Sequence, residues 1–323
     1  AVDGARAIVA KILHAEPREI IFTGSGTESD NLAIQGVFRA AVSGPFGESK
    51  LAKNKRPHII TSAVEHSAVL RTCEYLEKNY GCDVTYVEVD EYGMVDPAKV
   101  KKALRENTIL CTIMYANNEV GTINAISEIG KICQKAVVPF HTDACQAAGT
   151  LEMDVRKLNV DLLTLNGSKI YGPKGIGVLY KKKSIKLVPL IFGGEGQEHR
   201  LRAGTENVPA IVGLAKAFEI AQENRLKENT RLAELRDILT KELLACIPDS
   251  FLNGYPYINS TALALKANDH GRMRLPNNVN ISFAGIEGET LLIKLDELGI
   301  CATSGSACTS GSLDPSHVLL AMG

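Results

Sequence analysis

From residue 20 to about residue 180, short β-branched runs alternate with stretches whose apolar positions recur at helical spacing. EIIFT (19–23) leads into a helical stretch from about Glu28 to Ala40. HIITS (58–62) precedes a second one around Val69 to Asn79, and DVTYVEV (83–89) precedes DPAKVKKALRE. TILCTIMY (108–115), VPFHT (138–142) and DLLTLN (161–166) are further strand candidates. Strand and helix in alternation predict an α/β fold with a mostly parallel sheet covered on both faces. In such sheets ligands gather at the carboxyl ends of the strands, so the residues just after each strand matter most.

The pattern changes after Pro209. A long helical run (210–246), rich in Leu, Ala, Glu and Lys, is followed by NVNISFAG, GIEGETLLIKLDELGI and CATSGSAC, which read as a smaller α+β domain. The expected division is therefore a large domain over 1–209, then a connecting helix and small domain over 210–323. Residues 42–57 (VSGPFGESKLAKNKRP) have loop composition and predict a surface excursion. The opening AVDGARAIVAKILHA has helical periodicity without a capping signal, and the closing SHVLLAMG starts a helix and stops. Both ends read as cut.

Composition narrows the class only a little. A chain of 323 residues is long enough for a large core and two domains. Its net charge of −1 gives no electrostatic reason to expect nucleic acid or an anionic membrane as partner. No apolar run is long enough to span a bilayer. The cysteines at 73, 82, 111, 133, 145, 246, 301 and 308 form no CxxC pair, and reduced thiols in a cytoplasmic protein are the expectation. No Cys/His cluster has ligand spacing, so no metal is expected.

The informative segments all follow strands. FTGSGTESDNLA (22–33) is a Gly/Ser/Thr turn opening a helix, and helix-terminal N–H groups with hydroxyls make an anion cradle. HTDACQ (141–146) puts Asp143 at a strand's end, where an aspartate also serves as a helix cap. NGSKIYGPKG (166–175) sets Lys169 between two glycine turns. A phosphate cradle, a carboxylate and a lysine at the strand ends of one sheet match the needs of pyridoxal phosphate. Its phosphate must be anchored, its ring nitrogen kept protonated and its aldehyde held as a Schiff base.

The motifs TESDNLAIQG, VEHSAVL, ANNEVG, HTDACQAAG, SKIYGPKGIG, RAGTEN and SGSACTSGS occur in the order found in NifS/IscS-like cysteine desulfurases, and the chain resembles that family from end to end. The family belongs to the class V, fold-type I pyridoxal-phosphate enzymes. By the resemblance, Lys169 corresponds to the Schiff-base lysine, Asp143 to the partner of the ring nitrogen and Gln146 to the residue on the ring hydroxyl. His66 is similar to the histidine that stacks on the ring; read from the residues alone, it is a helix-start residue. Gly26 and Thr27 match the phosphate turn, and Thr205 matches a threonine that reaches the phosphate of the other subunit in a homodimer. Asn118 matches a residue beside the ring and the substrate carboxylate, and Cys308 the cysteine that accepts sulfur. Lys169, His66 and Cys308 are thus the implied catalytic residues. Ser168 and Asn166 stand where the family usually has histidine and serine, and both still hydrogen-bond a phosphate. The arginine that clamps the substrate carboxylate lies, in the family, beyond residue 323, and the role is not transferred to Arg202.

Cys308 sits among residues too small to pack a core, which provides reach. The implied reaction takes L-cysteine to L-alanine, leaving a persulfide on Cys308 for a sulfur-acceptor protein, either an iron–sulfur scaffold or a tRNA-thiolation factor. Selenocysteine lyase and a class V aminotransferase are the enzymatic alternatives. A non-catalytic iron–sulfur assembly scaffold is the alternative from another class.

Overall fold

The computed structural model describes residues 1–43, 55–194, 196–256, 273–304 and 315–323. Its centre is a seven-stranded sheet built from β1 (Ile20–Thr23), β2 (His58–Ser62), β3 (Asp83–Val87), β4 (Thr108–Thr112), β5 (Phe140–Asp143), β6 (Leu162–Asn166) and β7 (Gly177–Lys181), in the order β1-β7-β6-β5-β4-β2-β3. Strands β3, β2, β4, β5 and β6 run parallel. Only β7, which sequence periodicity did not single out, is antiparallel to both its neighbours, β1 and β6. It follows that β1 runs in the same sense as β6, and the carboxyl ends of all the other strands share one edge.

The layering follows from the two-residue period of a strand. Ile20 and Phe22 join one core with α1 (Val2–Leu13), while Ile21 between them joins a second core with α2 (Gly26–Ser43) and α3 (Ser67–Tyr80). Leu163 and Leu165 likewise face the first core and Leu162 the second. Helices α4 (Pro97–Ala103), α5 (Ile126–Lys135) and α6 (Val155–Leu158) connect the parallel strands. The long helix α7 (Val208–Cys246) begins by packing Ala210, Ile211, Leu214, Ala215 and Phe218 into the first core. It then leads to an antiparallel pair, β8 (Ser250–Leu252) and β9 (Ile281–Phe283), and to α8 (Gly288–Glu297) and α9 (His317–Met322). Helix α2 extends through Ser43, so the expected excursion at 42–57 begins inside a helix; residues 44–54 of it lie outside the described residues.

One buried ion pair ties α1, β1 and the segment before α7 together. Arg6 donates to both carboxylate oxygens of Glu198, at 2.9 and 2.6 Å, and to the carbonyl of Ile20 at 2.6 Å. Glu198 also accepts from the amide of Phe22 at 2.7 Å, and the Arg6 guanidinium lies 4.8 Å from the centre of the Phe22 ring. Glu198, His199 and Arg200 all adopt positive φ (41°, 57° and 68°). For residues with side chains that conformation costs roughly 1 kcal/mol or more each, so the segment keeps its path only if something fixes it, and the Arg6–Glu198 pair does so. Arg6→Ala leaves Glu198 buried without its cation. The expected loss is about 3–5 kcal/mol by chemical denaturation, the usual result of removing one partner of a buried pair. A loss below about 1 kcal/mol, typical of surface pairs, would contradict this role.

Candidate active site

The sheet's carboxyl edge gathers residues that lie far apart in sequence. β1 ends at Thr23, and the chain turns through Gly24 and Ser25 into α2, whose opening N–H groups have no carbonyl partners within the helix. Glu28 braces this turn: its carboxylate accepts from the Gly24 amide at 2.8 Å and from Arg202 Nε at 3.0 Å. Arg202 is therefore engaged at the start of α2. Gly26 lies against the loops after β5 and β6. A Cβ there would stand 2.7 Å from Cys145 Sγ and 3.3 Å from Asn166 Nδ2, so only glycine lets the three segments approach.

β5 delivers Asp143, buried, with one carboxylate oxygen accepting from the Cys145 amide at 2.9 Å. Gln146 follows, half buried. β6 ends at Asn166, whose side chain accepts from the Lys169 amide at 3.2 Å and so shapes the short 3-10 turn Ser168–Ile170. Lys169 and Ser168 are exposed there. The Cys145 thiol is pushed well above its ordinary value by burial and by Asp143 and Asp30, with Lys169 opposing them; lysine and aspartate thus act on one spot.

β2 leads to His66. Its Nδ1 accepts from the Ala68 amide at 3.1 Å and caps α3, so the helix-start reading of this histidine holds. As an acceptor Nδ1 carries no hydrogen, which leaves the ring's hydrogen on Nε2. Donor atoms of His66, Asp143 and Asp30 lie within 4.8 Å of one another. The loop after β4 closes the same region. Asn117 donates to the Val64 carbonyl at 2.9 Å and accepts from the amides of Glu119 and Val120, presenting half-buried Asn118 beside it. Thr205 is exposed in the segment before α7. Cys308 lies outside the described residues.

Two acids here went unremarked in the sequence. Asp30, on α2, is 1 % exposed, and burial first, then the charges of Asp143 and Glu65, hold its carboxyl well above the usual range. Glu65 is fully buried, and burial pushes it up to about 8. One of its oxygens accepts from Ser62 Oγ at 2.5 Å and the Met114 amide at 2.9 Å, while the other has no hydrogen-bond partner. Two like charges about 5 Å apart repel by roughly 3 kcal/mol at an effective dielectric of 20, and that is the situation of Asp30 beside Asp143, whose oxygens lie within 4.8 Å of each other. An acid next to the family histidine, in VEH, was the available signal for Glu65.

The class-V aminotransferase family model matches residues 1–323. The chain belongs to this family, in its cysteine desulfurase branch. It is 49% identical over 323 residues to the cysteine desulfurase IscS of Clostridium botulinum, covering all of this chain and 75% of that protein. The IscS of Methanosarcina thermophila is 50% identical and 73% covered. Among solved structures, a NifS-like protein superposes with a TM-score of 0.83 at 35% identity, and SspA in complex with cysteine with 0.77 at 36%; both cover this whole chain, and 78% and 82% of theirs.

The family depends on pyridoxal phosphate, and the donor set here fits that group. A helix N-terminus suits its phosphate, a buried carboxyl its ring nitrogen, and an exposed primary amine on the next strand end its aldehyde.

The buried Glu65 has a consequence for stability. Its carboxyl takes up a proton more readily folded than unfolded, so the folded state binds more protons between 4.5 and about 8. Stability of the cofactor-free protein should therefore fall as pH rises through that window. Glu65→Gln keeps the accepting oxygen and stays neutral, so it should flatten the decline in thermal unfolding. An equal slope in both proteins would show that Glu65 is not the group responsible.

Proposed function

We propose that this chain converts L-cysteine to L-alanine and takes the sulfur onto Cys308 as a persulfide. The observation that carries the reading is the convergence of the α2 start, Asp143, His66 and the Lys169 turn at one sheet edge. Pyridoxal phosphate, when bound, supplies a protonated ring that draws electron density from the substrate's α-carbon. Gly26, Thr27, Ser168 and Asn166 would hold its phosphate, with Thr205 of the second subunit. Asp143 would accept the ring nitrogen's hydrogen, a charge-assisted bond worth about 1.5–3 kcal/mol. Gln146 would reach the ring hydroxyl, His66 the ring face, and Asn118 the ring and the substrate carboxylate.

Lys169 Nζ would anchor the cofactor's aldehyde and, once displaced by the substrate amine, move the proton at the α-carbon. The Cys308 thiolate then attacks the substrate sulfur. The sulfur–sulfur bond forms as the carbon–sulfur bond breaks, and the released electron pair stays on the carbon that becomes alanine's methyl group. Enzyme thiol and cysteine thus become enzyme persulfide and alanine with no other reactant. A free thiol is only about 3% thiolate at neutral pH, so the attack gains from any field that lowers that value.

The chain is read as a homodimer. Tyr171, wholly exposed beside the Lys169 turn, with Ile191, Phe192, Val208 and Val212, gives the Thr205 region an apolar surface suited to a second copy. The persulfide would pass to an iron–sulfur scaffold or a tRNA-thiolation protein. The free thiols at Cys73, Cys82, Cys111, Cys133, Cys145, Cys246 and Cys301 fit a reducing compartment, read as the cytoplasm. Residues 1–209 would form the cofactor domain and 210–323 the part bearing the cysteine loop.

Cys308→Ala tests the assignment. The variant should bind cofactor and cysteine normally, with its absorption spectrum still responding to substrate, while sulfide release in the presence of reductant disappears. In the wild-type protein, alkylation after cysteine treatment should find one added sulfur on the peptide holding Cys308. A variant that still makes alanine at the wild-type rate would sink the mechanism.

A further inference from the structure

Asp30 has no part in the reaction just proposed, yet it lies inside the site. It sits one turn into α2, buried, and its Oδ1 has no hydrogen-bond partner. That oxygen is 3.7 Å from Nε2 of His141, two residues before Asp143 on β5. His141 cannot answer it with a charge. Its Nδ1 is bonded to Thr112 Oγ1 at 2.8 Å and its Nε2 to Thr164 Oγ1 at 3.1 Å, and burial pushes the ring down to about 3, so it stays neutral. Thr164 also lies beside Asp30, where it favours the ionised carboxyl without outweighing burial and the charge of Asp143. Among the described residues, the other titratable groups around Asp30 are Asp143 at the end of β5, Cys145 just after it, Glu65 after β2 and His66 at the start of α3. No lysine or arginine is among them.

We propose that Asp30 is a positioning residue for Asp143: a proton-bearing carboxyl, held by α2 next to the β5 carboxylate, that keeps Asp143 the sole anion aimed at the cofactor's ring nitrogen. Two carboxyls whose oxygens stand within 4.8 Å, walled by a neutral histidine and neutral threonines, cannot both ionise without a cation between them. Asp143 would gain the pyridinium as its cation; Asp30, the more deeply buried of the two, would gain nothing. The proton therefore belongs to Asp30. Losing it would let Asp143 turn away from the ring or compete with a second charge. The inference rests on the cofactor reading above and adds a residue to it.

The test compares wild type, Asp30→Asn and Asp30→Ala as cofactor-loaded proteins and after cofactor removal. Pyridoxal phosphate is titrated back while the absorption band of its Lys169 adduct is followed, and the band's pH midpoint is then measured at saturating cofactor. Asp30→Asn, neutral and of the same shape, should match wild type in both. Asp30→Ala should bind cofactor about ten- to a hundredfold more weakly, the range seen when a group that orients a ligand is removed, and its midpoint should move by about one unit. A midpoint left in place while only the melting temperature falls would reduce Asp30 to packing and overturn the proposal. So would an Asp30→Asn protein as impaired as Asp30→Ala. Should Asp30→Ala fail to fold, Asp30→Asn decides alone, a tenfold loss of affinity being the overturning result. Failure of wild type itself to form the Lys169 adduct would instead overturn the cofactor reading.

Discussion

The site is governed by one electrostatic constraint: several carboxyl groups are buried at the same sheet edge, and they cannot all be charged. Asp143 at the end of β5 and Asp30 near the start of α2 have oxygens within 4.8 Å of each other, with Glu65 buried after β2 and the neutral His141 3.7 Å from Asp30. Burial raises the carboxyls of Asp30 and Glu65, which favours their protonated forms. In the proposed site, the charge that remains is that of Asp143, directed toward the ring of the cofactor. An ionised group in such surroundings acts more strongly than it would in water.

The same economy of charge runs through the interior of the sheet. His141 joins Thr112 on β4 to Thr164 on β6, and His58 joins Thr108 on β4 to Thr85 on β3. Both rings are held neutral, at about 3 and about 4, chiefly by burial. Each spends both nitrogens on hydroxyls, so the polar groups are satisfied and the register across neighbouring strands is pinned. A sheet fixed in this way holds Asp143 relative to Asn166 and His66 without help from the exposed loops. The Arg6–Glu198 pair does the corresponding work for the segment that carries Arg202 and Thr205.

Much of this was legible in the chain itself, because parallel strands buried on both faces leave continuous β-branched runs and their ligand-facing residues come immediately afterwards. HIITS coincides with β2, and Lys169, Asp143 and the Gly26 turn all fall just past predicted strands. β7 escaped because GVLYK follows a Gly-Pro-Lys-Gly turn and is inserted antiparallel between β1 and β6, a choice of partner that local pattern does not encode. Asp30 escaped for a related reason. In TESDN it looks like one more polar residue opening a helix, and only the docking of α2 against β5 and β6 buries it. His66 was readable in two ways: the structure shows the helix-start one, with Nδ1 capping α3, and the ring-stacking one remains part of the proposal. The role proposed for Cys308 rests on its Ser/Gly surroundings and the family pattern, and the residue lies outside the described residues.

The central claim is that the sheet-edge constellation serves sulfur removal and not amino-group transfer. The most direct measurement is a single turnover with L-cysteine, without reductant, in which small-molecule products and protein-bound sulfur are quantified together. Alanine and protein-bound sulfur should appear in equal amounts, with no keto acid. Pyruvate or another keto acid, with the amino group left on the cofactor and no sulfur on the protein, would contradict it.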